Sequence, residues 1–461
     1  MFTSTAHIAS LDNFRLADHY LAHRASLSAE RLPGLYRHQN RWLTYAGGIY
    51  REIPSQSLEQ EVQRYIKWVI DQEQIMARQN TLAQATLRLT KEVLTALGTR
   101  VALDDSVELP LWVGPPVPRN VVRIVMKNLQ VTVDTDSGLI DVAPLTAQWI
   151  STAQIPVQFA TSAERAARPH WEAFLMTTME GDQERMALLQ EIAGYLLTID
   201  TSHQKFVILE GEGGTGKSTF IRTLTRLLGE DNVSHVPLEQ FAERFALSQT
   251  VGALANLCGD MGRVTDKVEG HLKMFTGQDR MQFERKHQTP YFAVPTARLI
   301  FATNERPAFT DRTDGIWRRL ILIPFNRQVT AEERQFDIES ALAKELPGIL
   351  CWALEGLVRL RQQGGFTEPS VATAALQEFK AESNPTRTFL KEHYVADPDA
   401  VILVEAVYRH YLEERGTDSR PPMTKAQFGA EVARVFPRLQ KTKASIEPGR
   451  RGNAYKGLKA T

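Results

Sequence analysis

Apolar and polar positions change period several times along the chain, and each change marks a segment. Residues 35–53 (LYRHQNRWLTYAGGIYREI) alternate aromatic and polar side chains around Gly47-Gly48, as a β-hairpin would. Residues 58–79 (LEQEVQRYIKWVIDQEQIMARQ) and 82–97 (LAQATLRLTKEVLTAL) carry apolar residues at helical spacing. A connection rich in proline follows (ELPLWVGPPVPRN, 108–120), and then short strands over 121–142 with an Asp-Ser-Gly turn. Helical segments begin at Pro169 (PHWEAFLMTTME) and continue through QERMALLQEIAGYLLT. The strand FVILEG (206–211) opens a central block that runs to about Pro324. Residues 331–365 read as helical throughout and stop at Gly364-Gly365. The remainder combines short helices with a basic end. This punctuation divides the chain at 1–120, 121–197, 198–330, 331–365 and 366–461, with the role of the first segment open.

Composition narrows the class. A chain of 461 residues exceeds what one core normally organises, and 43% hydrophobic with 23% charged residues suits globular domains. The formal net charge is zero, so contact with nucleic acid is expected in a channel or a single module, not over the whole surface. No apolar run reaches membrane-spanning length and the N-terminus lacks a signal-peptide pattern, so a cytosolic protein without membrane contact is expected. Cys258 and Cys351 sit among apolar residues and read as core.

The chemistry concentrates in the central block. Gly211-Glu212-Gly213-Gly214-Thr215-Gly216-Lys217-Ser218 fits G-x-x-x-x-G-K-[ST], with an apolar strand before it and an amphipathic helix from Thr219 after it. Glycines let backbone N–H groups wrap phosphate oxygens, while the helix aims its N-terminal dipole at the same anion. Lys217 would reach the β- and γ-phosphates of ATP, and the Ser218 hydroxyl would ligate Mg²⁺. A metal-facing acid is expected at the end of a second core strand. Asp260 closes VGALANLCGDMG and fits, although an ordinary strand-end aspartate would look the same. ARLIFATNERP ends its apolar run at Asn304, placed to orient a lytic water or merely to make a turn. In GIWRRLILIPF, Arg318 and Arg319 precede another apolar run, where one could serve as an arginine finger.

The order of these motifs resembles superfamily 3 helicases: phosphate loop, single acid, LKMFTGQD (272–279), basic hairpin, strand ending in asparagine, and W-R-R-L before I-P-F. Within them it is similar to the phage and plasmid helicase–primase group related to the poxvirus helicase–primase. The likeness covers roughly residues 120–461. It implies an α/β fold: an AAA+-like P-loop ATPase core with an N-terminal mixed α+β and helical collar region. The segment 331–365 would be a helical lid, and a winged-helix-like domain would end the chain. It further implies a homo-oligomer, a hexameric ring with ATP between subunits and single-stranded DNA through the pore. Lys217 and Ser218 then match the phosphate and Mg²⁺ positions, Asp260 the acid, Asn304 the sensor, and Arg318 or Arg319 the finger.

Two stretches are candidates for DNA contact. DRMQFERKHQTPYF flanks a charged tip, Arg285-Lys286-His287, with aromatic residues, and the resemblance makes this a pore hairpin gripping phosphates. From residue 421 onward nine lysines and arginines face only Glu431 and Glu447, and Arg450-Arg451 would lie on a wing that holds duplex or origin DNA. A solvated charged hairpin and a solubilising tail are the plainer alternatives. Asp134-Thr135-Asp136 resembles a primase metal pair but sits where a hairpin turn is expected, with no supporting acid-and-histidine set in 1–130. A separate primase or initiator would then be the partner. The expected function is an ATP-dependent DNA helicase for replication of a phage, plasmid or mobile element. An ATP-dependent loader of replication proteins and an ATP-switched DNA-binding initiator are the rivals.

Overall fold

The computed structural model describes residues 12–77, 84–104, 107–116, 120–160, 162, 166–262, 264–286, 290–309, 314–330, 333, 337–415, 422–447 and 450–461, with only the backbone considered at 73–77, 446–447 and 450. The chain opens with α1 (Asn13–Leu27), β1 (Leu35–His38), β2 (Arg41–Ala46), β3 (Ile49–Ile53), α2 (Ser55–Ala77) and α3 (Leu87–Arg100). The three strands form an antiparallel sheet, and Ala46 pairs with Ile49 across Gly47 and Gly48, both at positive φ. That is the two-residue turn the alternation called for. Leu16, Leu35, Leu58, Val62 and Leu97 close a small core between sheet and helices.

Next come β4 (Leu111–Trp112), β5 (Val121–Val125), β6 (Gln130–Asp134), β7 (Ile140–Ala143) and β8 (Trp149–Ile150), with β5–β6–β7 antiparallel and β4 paired to β8. Asp134 spends its carboxylate on the backbone N–H groups of Asp136 (3.0 Å) and Ser137 (2.9 Å). Those bonds hold the β6–β7 turn and, led by the one from Ser137, keep the Asp134 carboxyl below its usual range.

The centre of the protein is mixed α/β. It contains α4 (Pro169–Thr178), α5 (Gln183–Leu196), β9 (Phe206–Glu210), α6 (Lys217–Leu228), β10 (Val233–Ser234), β11 (Ala255–Cys258) and α7 (Asp266–Thr276). Then follow β12 (Met281–Phe283), β13 (Tyr291–Ala293), β14 (Arg298–Thr303), β15 (Leu320–Pro324), α8 (Ile338–Lys344) and α9 (Leu346–Gln363). Five strands make a parallel sheet in the order β10–β11–β14–β9–β15. Strands β11, β14 and β15 are buried at every residue, which is why they read as continuous apolar runs. Alternate residues feed two cores. Val207, Leu209, Ile300, Ala302, Ile321 and Ile323 face α4, α5, α6 and α9, while Phe206, Ile208, Leu299, Phe301 and Leu322 face α7 and its neighbours.

The segment read as one helical run from 331 breaks into α8 and α9. Pro347 lies in the first turn of α9, where a proline without an N–H is tolerated, and Glu345 is the hinge between them. Although they belong to different sequence segments, α5 and α9 pack into one core. The buried carboxylate of Glu191 on α5 accepts from Arg359 Nε (2.8 Å), Gln363 (2.9 Å) and both Thr367 N and Oγ1 (2.7 Å each).

A last unit has its own core around Leu390, Val407, Phe428, Val432 and Tyr455. Helix α10 (Ser370–Ser383) packs Phe379 into the central core against β15 and leads into this unit, which comprises α11 (Pro385–His393), β16 (Tyr394–Leu403), α12 (Val404–Glu414), α13 (Lys425–Val435), β17 (Gln440–Glu447) and β18 (Arg450–Ala460). Its antiparallel sheet runs β16–β18–β17. Among the described residues no helix is long and apolar enough to cross a membrane.

Candidate functional site

In an open parallel sheet, ligands bind beyond the carboxyl ends of the strands, and the glycine-rich loop lies there. Strand β9 ends at Glu210, and Gly211 N–H then donates to Thr303 O (3.2 Å) on the neighbouring β14. Gly211 runs so close to the next connection that a Cβ would sit 2.2 Å from Phe325 O. Gly216 turns the chain into α6 at φ +97, and a Cβ there would lie 2.7 Å from Thr178 Cγ2. No other residue type fits either position without displacing backbone or the α4 wall. Helix α6 starts directly at Lys217, so its first N–H groups, with no partner inside the helix, point back into the loop.

Lys217 is only 6% exposed. Its ammonium donates to the carbonyl of Gly211, to Glu212 O (2.8 Å) and, weakly, to Thr215 Oγ1 (3.4 Å). Burial lowers its pKa. The lysine thus sits inside the loop it would serve, held mainly by the two carbonyls.

Above the loop opens a cavity of about 800 Å³. Its walls bring together Gly213, Gly214, Thr215, Gly216, Lys217, Ser218, Thr219, Asp260 and Asn304. Gly211 shapes the floor without lining it. Asp260 stands two residues past the end of β11 and Asn304 one past β14, both exposed. One oxygen of Asp260 accepts from Met261 N (2.9 Å). Ser218 is exposed at the start of α6. The Ser218 hydroxyl and Asp260 carboxylate therefore share one cavity and supply hard oxygen donors of the kind Mg²⁺ takes.

The wall beside the loop was not legible in the sequence as a site. It comes from α4 (His170, Ala173, Phe174, Thr177, Thr178), from Val329, and from Glu333 and Ile338 near α8. Phe174 and Thr178 stand one turn apart on α4, so the spacing marked a common face but not what that face covers. Glu345 fixes this wall: it accepts from the backbone N–H groups of His170 (3.0 Å) and Trp171 (2.9 Å), and pairs with His170 Nδ1 at 2.6 Å. The result is a pocket with a polar, anion-ready end and a partly apolar end, suited to a phosphorylated molecule with a flat ring system.

Neither arginine before β15 lines this cavity in its own chain. Arg319 is buried (8% exposed) and donates through Nη1 to Gly315 O (2.7 Å). Arg318 is exposed, and among the described residues its side chain makes no hydrogen bond or ion pair.

The basic hairpin is present as β12 paired antiparallel with β13. Phe283 is buried and stacks on Tyr291 at 6.0 Å, which stiffens the stem. Arg285 lies 6.0 Å over the Tyr291 ring, Lys286 is exposed at the turn, and His287 lies outside the described residues. In the C-terminal sheet Arg450 and Arg451 begin β18, paired with Glu447 and Ser445. Arg451 is exposed, and the side chain of Arg450 lies outside the described residues.

Comparison with known proteins gives three results. Residues 209–319 match the model of a family of unknown function, DUF5906. The chain is similar to a protein described as a putative helicase of Acanthamoeba polyphaga mimivirus, 24% identical over 233 residues, which is 44% of this chain and 24% of the relative. It is also similar to one so described from Invertebrate iridescent virus 3, 23% identical over 220 residues, 40% of this chain and 23% of the relative. The matched stretch thus spans about a quarter of the length of these curated relatives. Among solved structures, two apo forms of the NrS-1 C-terminal region match with TM-scores of 0.46 and 0.49 at 15% and 13% identity. Each covers 97% of this chain, and 100% and 99% of the matched one. The chain is therefore similar, at low identity and over part of its length, to viral proteins described as helicases.

Proposed function

We propose that this chain is an ATP-driven DNA helicase that assembles as a hexameric ring of AAA+-like subunits and draws single-stranded DNA through its pore. The observation that carries the reading is the meeting of Lys217, Ser218, Asp260 and Asn304 around one cavity, although they come from α6 and the ends of two different strands.

The proposed chemistry follows from those positions. The loop N–H groups and the α6 N-terminus hold the β- and γ-phosphates, and Lys217 leaves the carbonyls of Gly211 and Glu212 for the phosphate oxygens. Ser218 and Asp260 would hold Mg²⁺, which would supply charge neutralisation at the phosphates. Asn304 orients the attacking water and Asp260 polarises it. The half-apolar wall of Phe174, Val329 and Ile338 takes the base. Arg318, exposed and outside its own chain's cavity, is the better candidate to reach a neighbouring subunit's γ-phosphate, because Arg319 is already buried against Gly315. Lys286, with His287 next to it in sequence and Arg285 before it, grips DNA phosphates. The C-terminal unit is a winged-helix-like module in which Arg450 and Arg451 contact duplex or origin DNA. A separate primase or initiator of a phage, plasmid or mobile element would complete the replication machinery.

The test is ATP hydrolysis with and without single-stranded DNA, in the intact chain and in a Lys286→Ala, His287→Ala double variant. Stimulation by DNA that the double variant loses supports a helicase. Hydrolysis indifferent to DNA in both proteins replaces this reading with a loader of replication proteins. ATP-dependent DNA binding without turnover replaces it with an initiator switch.

A further inference from the structure

We propose that His393, His410 and Glu414 form a binding site for a divalent transition-metal ion, best suited to zinc, that clamps the end of α11 to the last turn of α12. This site is separate from the nucleotide cavity and has no part in phosphate chemistry.

Helix α12 sets His410 and Glu414 four residues apart, hence on one face, and their Nε2 and Oε1 atoms stand 3.7 Å apart. Helix α11 ends at His393, whose ring centroid lies 4.9 Å from that of His410 with the planes at 81°. One ligand atom from each of the three residues lies within 4.8 Å of the others. Two ligands bound at ~2.0–2.1 Å can stand at most about 4.2 Å apart, so the 3.7 Å pair fits as it is. The separations to His393, within the 4.8 Å bound, come into ligand range by small side-chain rotations, for which the exposed Glu414 has the most freedom.

The outer contacts also suit a metal. The other nitrogen of His410, Nδ1, is 2.8 Å from Tyr394 Oη, and Tyr394 is itself buried. That contact fixes the imidazole so that Nε2 faces Glu414; with a metal on Nε2, the Nδ1–H donates to the tyrosine oxygen. Ligating imidazoles are held in this way by a partner behind them. Two imidazole nitrogens and one carboxylate match zinc with a fourth position left for water, whereas magnesium prefers oxygen donors alone. A helical His–Glu pair needs only two residues. The third comes from another helix, at the junction that a clamp would hold.

Location gives the clamp a consequence. His393 and Glu414 line a cleft of about 900 Å³, whose far wall includes Arg306, Phe309 and Phe379 beside the central sheet. A bound ion would stiffen the C-terminal unit at the wall that faces the motor.

The experiment uses the untagged full chain, stripped with chelator and free of nucleotide. Zn²⁺ titration by calorimetry and Co²⁺ titration by visible d–d absorption should show one tight site per chain. Binding should survive a Ser218→Ala, Asp260→Asn double variant, should fall by about a hundredfold in Glu414→Gln or His410→Ala, and by about tenfold or more in Tyr394→Phe. Zinc should also raise the melting temperature of the stripped wild type and not of His410→Ala. Each stripped variant is compared with stripped wild type by circular dichroism. If His410→Ala does not fold, Glu414→Gln decides, since its change falls on an exposed carboxylate. No binding stronger than about 100 μM, or unchanged affinity in Glu414→Gln, overturns the proposal.

Discussion

Arg318 and Arg319 are adjacent in sequence, yet the structure assigns them opposite responses to the same substitution. Arg319 is 8% exposed and bonded to Gly315 O at 2.7 Å. A charged hydrogen bond of this kind contributes about 1.5–3 kcal/mol, and the packed methylenes add roughly 2 kcal/mol more. Arg319→Ala should therefore cost about 3–5 kcal/mol and lower the melting temperature by on the order of 10 °C. Arg318 is exposed, so Arg318→Ala should leave stability within about 0.5 kcal/mol of wild type. If it acts on the neighbouring subunit's γ-phosphate, however, its loss should lower kcat by about 10³-fold or more. That is at least ~4 kcal/mol of barrier. Nucleotide affinity should change little. The assays are phosphate release at saturating ATP, binding of a fluorescent nucleotide, and thermal melting, all on the same preparations. A mixing experiment isolates the action in trans: Lys217→Ala subunits retain Arg318, so adding them to Arg318→Ala subunits should restore part of the turnover. Turnover of Arg318→Ala within about tenfold of wild type, or no recovery on mixing, refutes the reasoning.

Three further outcomes follow at Asp182, Gly216 and Glu191. Asp182 caps α5 through Glu184 N (3.0 Å) and Arg185 N (3.1 Å) and pairs with buried Arg185 Nε at 2.8 Å. Asp182→Ala should cost about 3 kcal/mol in chemical unfolding at neutral pH. Burial raises the Asp182 carboxyl, but the bonds from Arg185 and Glu184 outweigh it and the folded pKa falls below 3.8. Its contribution is therefore complete above 3.8 and is lost as pH falls through the lower folded value, so the wild-type advantage should shrink only there. Gly216→Ala forces a Cβ to 2.7 Å from Thr178 at φ +97. It should cost about 1–3 kcal/mol and weaken ATP binding in calorimetry; wild-type affinity would contradict the loop geometry. Glu191→Ala strands the four donors around its buried carboxylate. Arg359 is 36% exposed and can turn to water, so the loss in urea unfolding should be about 3 kcal/mol, at the low end for a broken buried pair; less than about 1 kcal/mol contradicts it.

What the sequence disclosed is what local pattern can encode. The glycine loop, its strand and its helix are contiguous, and fully buried strands announce themselves as apolar runs, so β9, β11, β14 and β15 were legible with Asp260 and Asn304 at their tips. The cavity wall beside the loop was not. Phe174, Val329 and Ile338 meet only because α4 and the α8 region pack against each other on one face of the sheet, and no periodicity carries that information. The contrast between Arg318 and Arg319 was hidden for a related reason, since two successive residues before a strand look alike until the turn at Gly315 buries one. Strand β16 escaped because Asp397-Pro398-Asp399 interrupts its alternation, and the sheet absorbs the interruption as a register shift between Asp397 and Val401. The pairing of His393 with His410 and Glu414 likewise joins two helices that only the fold brings together.

Arg306 links the strand tips beside the glycine loop to α10, the helix that leads into the C-terminal unit. It stands two residues past Asn304 and pairs with Glu210, the last residue of β9 before the glycine loop, at 2.5 Å. The same guanidinium reaches Glu378 and Glu382 on α10, each at 2.9 Å, and lies 5.7 Å over Phe379. A shift at either strand tip during hydrolysis would thus be felt first by α10 and the helices that follow it. The outer pairs are more than half exposed on their acidic side, and each is worth under about 1 kcal/mol. The inner pair is only 20% and 17% exposed and holds the loop itself. Two substitutions separate holding from coupling. Arg306→Ala leaves Glu210 without its partner and should lower both stability and basal hydrolysis. Glu378→Gln with Glu382→Gln keeps the Glu210 pair and should preserve basal hydrolysis while reducing its stimulation by DNA. If the double glutamine variant responds to DNA as wild type does, α10 does not transmit through Arg306, and the three-carboxylate contact is a fastening alone.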